Sequence, residues 1–244
     1  MTISSQHNQK LKEIRKLRMR RRVRERAGRF VAEGEDLLAA ADAAGWTPLE
    51  RFCAAGSGLP GVEVEPKLLA QASGLASGTR ALAVYAERWA PTAVGPLCVA
   101  LHGVSDPGNV GAVLRGAEAF GASCVAFGPG TADPFGPKAV RASMGAVFSV
   151  PVTRSVDVPG TKIALVASEG VALADVCQLR NTPSYEIGNR RGLTLLIGAE
   201  REGLPPEIAA AADHTAHIPI KTHSLNAAMA ATVALYEVTR MAAG

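Results

Sequence analysis

No run of the 244 residues is apolar for long enough to span a bilayer, and the N-terminus is charged where a secretory signal would be apolar. A cytoplasmic protein is therefore expected. Cysteine is scarce: Cys53, Cys98, Cys124 and Cys177 lie far apart with no Cys-x-x-Cys, which predicts reduced thiols packed as small hydrophobes, without a disulfide or zinc. There is no Gly-x-Ser-x-Gly and no Walker loop. Gly128-Pro129-Gly130 is too short for a dinucleotide loop and reads as a turn. His214, His217 and His223 have no cysteine or carboxylate partner at a fixed spacing, and Ile218 to Ile220 between them reads as core strand, so no metal is expected.

Hydrophobic residues make up 48% and charged residues 20%, the balance of a folded protein. The charge is unevenly placed. Lys10 to Arg29 holds eleven Lys or Arg against Glu13 and Glu25, a local +9; with 26 basic and 22 acidic residues in all, the remainder carries −5. Such a segment fits a polyphosphate partner, because each phosphate contact releases counterions without reading sequence. Arg20, Arg21, Arg22, Arg24 and Arg26 are the candidate RNA contacts. Leu11, Ile14 and Leu17 at helical spacing would let the same segment pack on the body. An acidic membrane surface is a poorer partner, since the segment has no aromatic anchor.

Three regions are expected: a basic arm over residues 1–29, a small α/β unit over 30–92 and a larger unit over 93–244. In the small unit Phe30 to Asp36 leads into a helical stretch from Leu37 to Ala44, and Gly45-Trp46-Thr47-Pro48 marks a turn. Apolar runs at Arg51 to Ala55 and Ala81 to Tyr85 flank a helical segment from Pro66 to Ser73. Arg88 to Pro96, with two prolines, a glycine and no hydrophobic period, reads as a linker. From Leu97 onward strand and helix alternate. Strands are expected at Leu97 to Leu101, Cys124 to Phe127, Lys162 to Ala167, Leu193 to Ile197 and Ala216 to Ile220, with helices over Asn109 to Phe120 and Leu225 to Met241. That alternation predicts a mostly parallel sheet with helices on both faces and ligands at the carboxyl ends of the strands.

Three segments rich in glycine and polar groups fall at such ends. The first runs from His102 to Ala117 and contains Asp106-Pro107-Gly108-Asn109-Val110-Gly111 and Arg115. Asn109 and Arg115 are six apart, so both border one crevice only if Asn109 sits at the helix mouth. The second is Ile197-Gly198-Ala199-Glu200 with Gly203, a strand breaking into a loop that carries a carboxylate. In the third, Ile218-Pro219-Ile220 leads to Ser224-Leu225-Asn226 and an alanine-rich helix. There Ser224 or Asn226 could simply cap the helix, or the free N–H donors and side-chain oxygens could hold a polar ligand.

In this order and spacing the three segments resemble the motifs of the SpoU, or TrmH, branch of the SPOUT RNA methyltransferases, over Leu97 to Arg240. Phe30 to Asp36 resembles the small substrate-binding domain of ribosomal RNA members. The resemblance implies a homodimeric enzyme that moves a methyl group from S-adenosylmethionine to a ribose 2′-hydroxyl, in ribosomal RNA ahead of transfer RNA. A non-catalytic RNA-binding protein on the same fold is the alternative. It also implies a deep trefoil knot, an exception to the rule against threaded chains. Asn109, Arg115, Glu200, Ser224 and Asn226 take the catalytic positions, and Ile197, Gly198, Ile218, Ser224 and Leu225 those that hold the cofactor. The family assigns proton handling to Arg115. A guanidinium stays protonated, so Arg115 is better suited to binding the adjoining phosphate and stabilising developing alkoxide charge. Only Lys221, Thr222 and His223 separate Ile220 from Ser224, shorter than the family's usual glycine-containing loop. The first βα turn lacks the glycines of a Rossmann-type methyltransferase.

Overall fold

A computed structural model describes residues 2–74, 78–168, 170–179 and 192–242. Its first half is a four-stranded sheet in the order β1-β4-β2-β3. The elements follow as α1 (Gln9–Met19), α2 (Arg21–Ala27), β1 (Arg29–Glu33), α3 (Glu35–Ala43), β2 (Glu50–Ala54), β3 (Val62–Val64), α4 (Pro66–Ser73) and β4 (Ala81–Ala86). Strand periodicity sends alternate side chains to opposite faces, and here both faces are buried. Val31, Leu82 and Val84 point to a core closed by Leu11, Ile14 and Leu17 of α1 with Phe52 and Leu69. Phe30, Ala83 and Tyr85 point the other way, into the core of the second half.

The basic segment is thus not a free arm. Leu11, Ile14 and Leu17 are at most 1% exposed, and each such burial is worth about 1.5–3 kcal/mol. Asn8 caps α1 by accepting the Lys10 N–H at 2.9 Å, and Ile3 bridges to Val64. Removing the segment would strip one face of the small sheet.

The second half is a seven-stranded sheet in the order β7-β6-β5-β10-β8-β11-β9, with every pairing parallel. Its elements are β5 (Leu97–Leu101), α5 (Pro107–Ala119), β6 (Cys124–Phe127), α6 (Pro137–Ala142), α7 (Ala146–Ser149), β7 (Val152–Thr153), β8 (Thr161–Val166), β9 (Val171–Ala172), α8 (Leu173–Leu179), β10 (Leu193–Ile197), α9 (Pro206–Ala210), β11 (His214–His217) and α10 (Ala227–Ala242). Strands β5 and β10 are buried along their whole length, as continuous apolar runs in a sheet covered on both faces should be. The parallel sheet behind a small α/β unit is the architecture expected. One strand is corrected: β11 ends at His217, short of the expected Ala216 to Ile220. Pro219 cannot donate a ladder hydrogen bond, so Ile218 to Ile220 leaves the sheet. No described helix is long and apolar enough to cross a membrane. Cys53, Cys98 and Cys124 are free and buried, and Cys177 has no described side chain.

The segment expected to be a linker is docked between the halves. Trp89 meets Phe127 and Phe135 edge-on, with ring centroids 6.1 and 5.2 Å away, and Ala90 bridges to Thr153. Further contacts cross the seam. Trp46 donates its indole N–H to the Phe148 carbonyl at 2.8 Å. Arg24 and Asp133 form an ion pair at 2.7 Å with side chains 6% and 9% exposed. The buried Glu33 carboxylate lies between Arg18 and Arg141; desolvation pushes its pKa up even though both cations pull it down.

Candidate active site

The sheet order reverses between β5 and β10, whose chain continuations lead to opposite sides, and the ends of these two strands carry the first two motifs. After β5 the chain turns through Gly103 into α5. Asp106 caps that helix, accepting the N–H groups of Gly108 at 2.6 Å and Asn109 at 3.1 Å, and Pro107 occupies the first helical position, where a missing N–H is harmless. Lys138 of α6 donates to the other Asp106 oxygen at 2.8 Å. That bond, helped by the two backbone donors, holds the Asp106 carboxyl below its ordinary pKa. Asn109 is thereby fixed at the mouth of α5.

Glu200 comes from the loop after β10. The loop closes on itself through paired Ala199 and Gly203 hydrogen bonds of 3.0 Å each. A Cβ on Gly198 would lie 2.1 Å from the Gly203 carbonyl carbon, so only glycine fits there. Asn226 comes from the junction before α10. Its oxygen accepts the N–H groups of Ala228 at 3.0 Å and Met229 at 3.3 Å. The cap dictates which way this amide points, leaving its nitrogen to face the carboxylate.

The three side chains meet. Asn109 Nδ2 donates to Glu200 Oε1 at 2.5 Å, Asn226 Nδ2 donates to the same oxygen at 2.6 Å, and Asn226 Nδ2 also lies 3.1 Å from Asn109 Oδ1. Capping and site building are therefore one role for Asn226. Two hollows meet at Glu200. One, of about 460 Å³, is lined by Ile197, Gly198, Ile218, Ser224 and Leu225 among others, the five residues matched to cofactor binding. The other, of about 250 Å³, is walled by Ser105, Asp106, Asn109 and Glu202. Among the described residues no cluster of His, Cys, Asp and Glu could hold a metal.

Arg115 does not join these three within one chain, and Ser224 enters only as a lining residue of the larger hollow. It is exposed on α5, six residues beyond Asn109 and hence about 9 Å along the axis and about 120° around it. The candidate RNA contacts also divide. Arg20, Arg22 and Arg26 are exposed, and Arg21 pairs with Glu25 at 2.8 Å. Arg24 is 5% exposed and donates to the Leu17 carbonyl at 2.7 Å as well as pairing with Asp133. This corrects its assignment: Arg24 is held inside the seam and is not available to a ligand. The sequence reading missed Lys138 and the packing of α6 on α5. Its signal was Gly111, where a Cβ would lie 2.4 Å from the Ala139 carbonyl oxygen.

A family model described as the SpoU rRNA Methylase family matches residues 96–236. The chain belongs to that family. A second model, the MRM3-like substrate binding domain, matches residues 8–89 and so groups α1 and α2 with the small sheet. Among relatives of this SpoU member, the 23S rRNA (guanosine(2553)-2'-O)-methyltransferase RlmP of Bacillus subtilis is 33% identical over 140 residues, 57% of this chain and 56% of the relative. The 23S rRNA (uridine(2479)-2'-O)-methyltransferase of Streptomyces viridochromogenes is 35% identical over 143 residues, 56% of this chain and 50% of the relative. The match spans about half the length of these curated relatives. Solved structures match nearly end to end. An AdoMet-bound rRNA methyltransferase from Sinorhizobium meliloti gives a TM-score of 0.82 at 28% identity, covering 98% of this chain and 97% of that one. The SpoU methyltransferase AviRb from Streptomyces viridochromogenes, in complex with AdoMet, gives 0.80 at 25% identity, covering 98% and 99%.

The hollow behind Gly198 yields a direct prediction. Gly198→Ala should weaken S-adenosylmethionine binding at least tenfold by calorimetry, because the new methyl group collides with backbone rather than with a side chain that can turn aside. Unchanged affinity in a folded variant would show that the cofactor lies elsewhere.

Proposed function

We propose that the chain methylates a ribose 2′-hydroxyl of RNA, ribosomal RNA ahead of transfer RNA, with S-adenosylmethionine as donor. The observation that carries this is the Asn109–Glu200–Asn226 cluster standing between two hollows. The larger suits the cofactor, with apolar walls from Ile197, Ile218 and Leu225 and a backbone wall at Gly198. Bound S-adenosylmethionine supplies an electrophilic methyl on a sulfonium. The smaller, polar hollow receives the ribose. With that donor bound, a ribose 2′-oxygen in the smaller hollow would take the methyl group as the carbon–sulfur bond electrons pass to sulfur, and the hydroxyl proton would leave to solvent. Asn109 and Asn226, held by Glu200, fix the shape of this junction, and much of the rate comes from such positioning. The family likeness and the names of the ribosomal RNA relatives support the substrate class.

Arg115 belongs to the same reaction through a second copy of the chain. The exposed face of α10 carries Met229, Val233 and Tyr236, which are 60%, 42% and 53% exposed at helical spacing, and Tyr236 meets Phe120, the residue that caps the end of α5, edge-on at 6.2 Å. A homodimer that covers this stripe brings Arg115 of the partner subunit toward the ribose. Threading of α10 as in a trefoil knot fits the small residues Ala227, Ala228, Ala231 and Ala234, all buried. A cytoplasmic site of action follows from a ribosomal RNA substrate.

The test is incubation with labelled S-adenosylmethionine and total RNA, followed by mapping of alkali-resistant ribose positions. Transfer to ribosomal RNA is expected. Cofactor binding without transfer to any RNA would leave the non-catalytic alternative.

A further inference from the structure

A second crevice, of about 300 Å³, opens on the same edge of the large sheet. This is the lower end of ligand-site sizes. Its floor is the turn after β6, Gly128 to Asp133, and its walls are Trp89 from the docked segment, Arg154 after β7 and Arg21 of α2. The Arg154 guanidinium lies 4.2 Å from the centre of the Trp89 ring, within cation–π range. Trp89 is held beneath it by its indole N–H, donated to Glu87 at 2.8 Å, and by the edges of Phe127 and Phe135. Arg154 and Arg21 remain 56% and 55% exposed. Arg21 is steadied at the rim by the Thr131 carbonyl, 3.4 Å away.

This crevice adjoins the catalytic one. Gly103 donates its N–H to the Pro129 carbonyl at 3.1 Å, and Ala132 donates to the Val104 carbonyl at 2.9 Å. A Cβ on Gly103 would in turn touch Ala199, the neighbour of Glu200. The loops after β6, β5 and β10 therefore form one continuous edge, with the Trp89–Arg154 crevice at one end and Glu200 at the other.

We propose that this crevice binds a second, unmethylated nucleotide of the RNA strand, its base stacked on the open face of the Arg154 guanidinium and its phosphate on Arg21. The inference rests on the reading of RNA as substrate. The chemistry is that of single-strand recognition: a flat cation backed by an aromatic ring accepts any base face, and a flanking arginine takes the phosphate charge. Lysine could supply the charge but not the plane.

The experiment measures methyl transfer to total ribosomal RNA, affinity for a short mixed-sequence single-stranded RNA, and tryptophan fluorescence on adding that RNA. Arg154→Ala should raise KM for RNA and the RNA Kd by roughly tenfold, with kcat and S-adenosylmethionine binding unchanged. Arg154→Lys should recover less than half of that loss. RNA should quench fluorescence in the unaltered protein and not in Trp89→Phe, which keeps an apolar ring in place. Unaltered KM and Kd in Arg154→Ala, or full recovery by lysine, would overturn the stacking site. Absence of transfer by the unaltered protein, with quenching retained, would overturn the enzymatic reading and leave the crevice standing.

Discussion

Arg115→Ala is expected to cut methyl transfer by about 10²–10³-fold, the usual effect of removing one preorganised charge from a developing oxyanion, and to leave S-adenosylmethionine affinity nearly intact. The affinity should survive because Arg115 is not among the residues around the larger hollow. Equal loss of both would contradict its role. Mixing two inactive variants gives a sharper result. In heterodimers of Arg115→Ala with Glu200→Gln, an arginine acting across the interface leaves one site with both groups native. Random exchange then restores about a quarter of the unaltered activity, since about half the dimers are mixed and each has one good site. An arginine acting within its own chain restores none. The mixture therefore tests both the dimer and the direction in which it is wired.

The second large effect concerns stability. Arg24→Met should cost about 3–5 kcal/mol, because it leaves the Asp133 carboxylate buried without its counter-charge. For a chain of this size that is a fall in Tm on the order of 10 °C. The double variant Arg24→Met, Asp133→Leu should recover much of the loss, since two apolar side chains need no hydration. Thermal unfolding of the four proteins in the cycle decides it. Additive losses in the double variant would mean that the pair is not coupled. Arg24→Met should also leave the salt dependence of RNA binding unchanged, which separates it from the exposed Arg20, Arg22 and Arg26.

Local signals account for what could be read in advance. Leu97 to Leu101 and Leu193 to Ile197 are apolar throughout because both faces of their sheet are covered, and each strand fell where its run of residues lies. Asn109, Glu200 and Asn226 stand at strand or helix ends, where backbone groups need partners, but their roles were legible only through the resemblance of the three motifs to the family. What escaped depended on residues far apart in the chain. Nothing near Arg24 distinguishes it from Arg22; its partner Asp133 is 109 positions away. Trp89 lay in a stretch whose prolines and glycine indicated a linker, and the indole was the one sign that the stretch packs. Ile218 to Ile220 looked like strand because apolar residues also line hollows. Arg115 matched its motif, but the surface it serves belongs to another molecule on the proposed reading, so no single chain could reveal its target.

The small sheet buried on both faces would constrain the substrates of the proposed reaction. With Phe30 and Tyr85 sharing a core with Phe135 and Phe148, the two halves act as the fixed jaws of a caliper. On the proposed reading, the distance from the exposed arginines of the small half to the Glu200 junction is set by that shared core. If the chain methylates RNA as proposed, selection then falls to the RNA, whose own fold has to present a nucleotide at that offset.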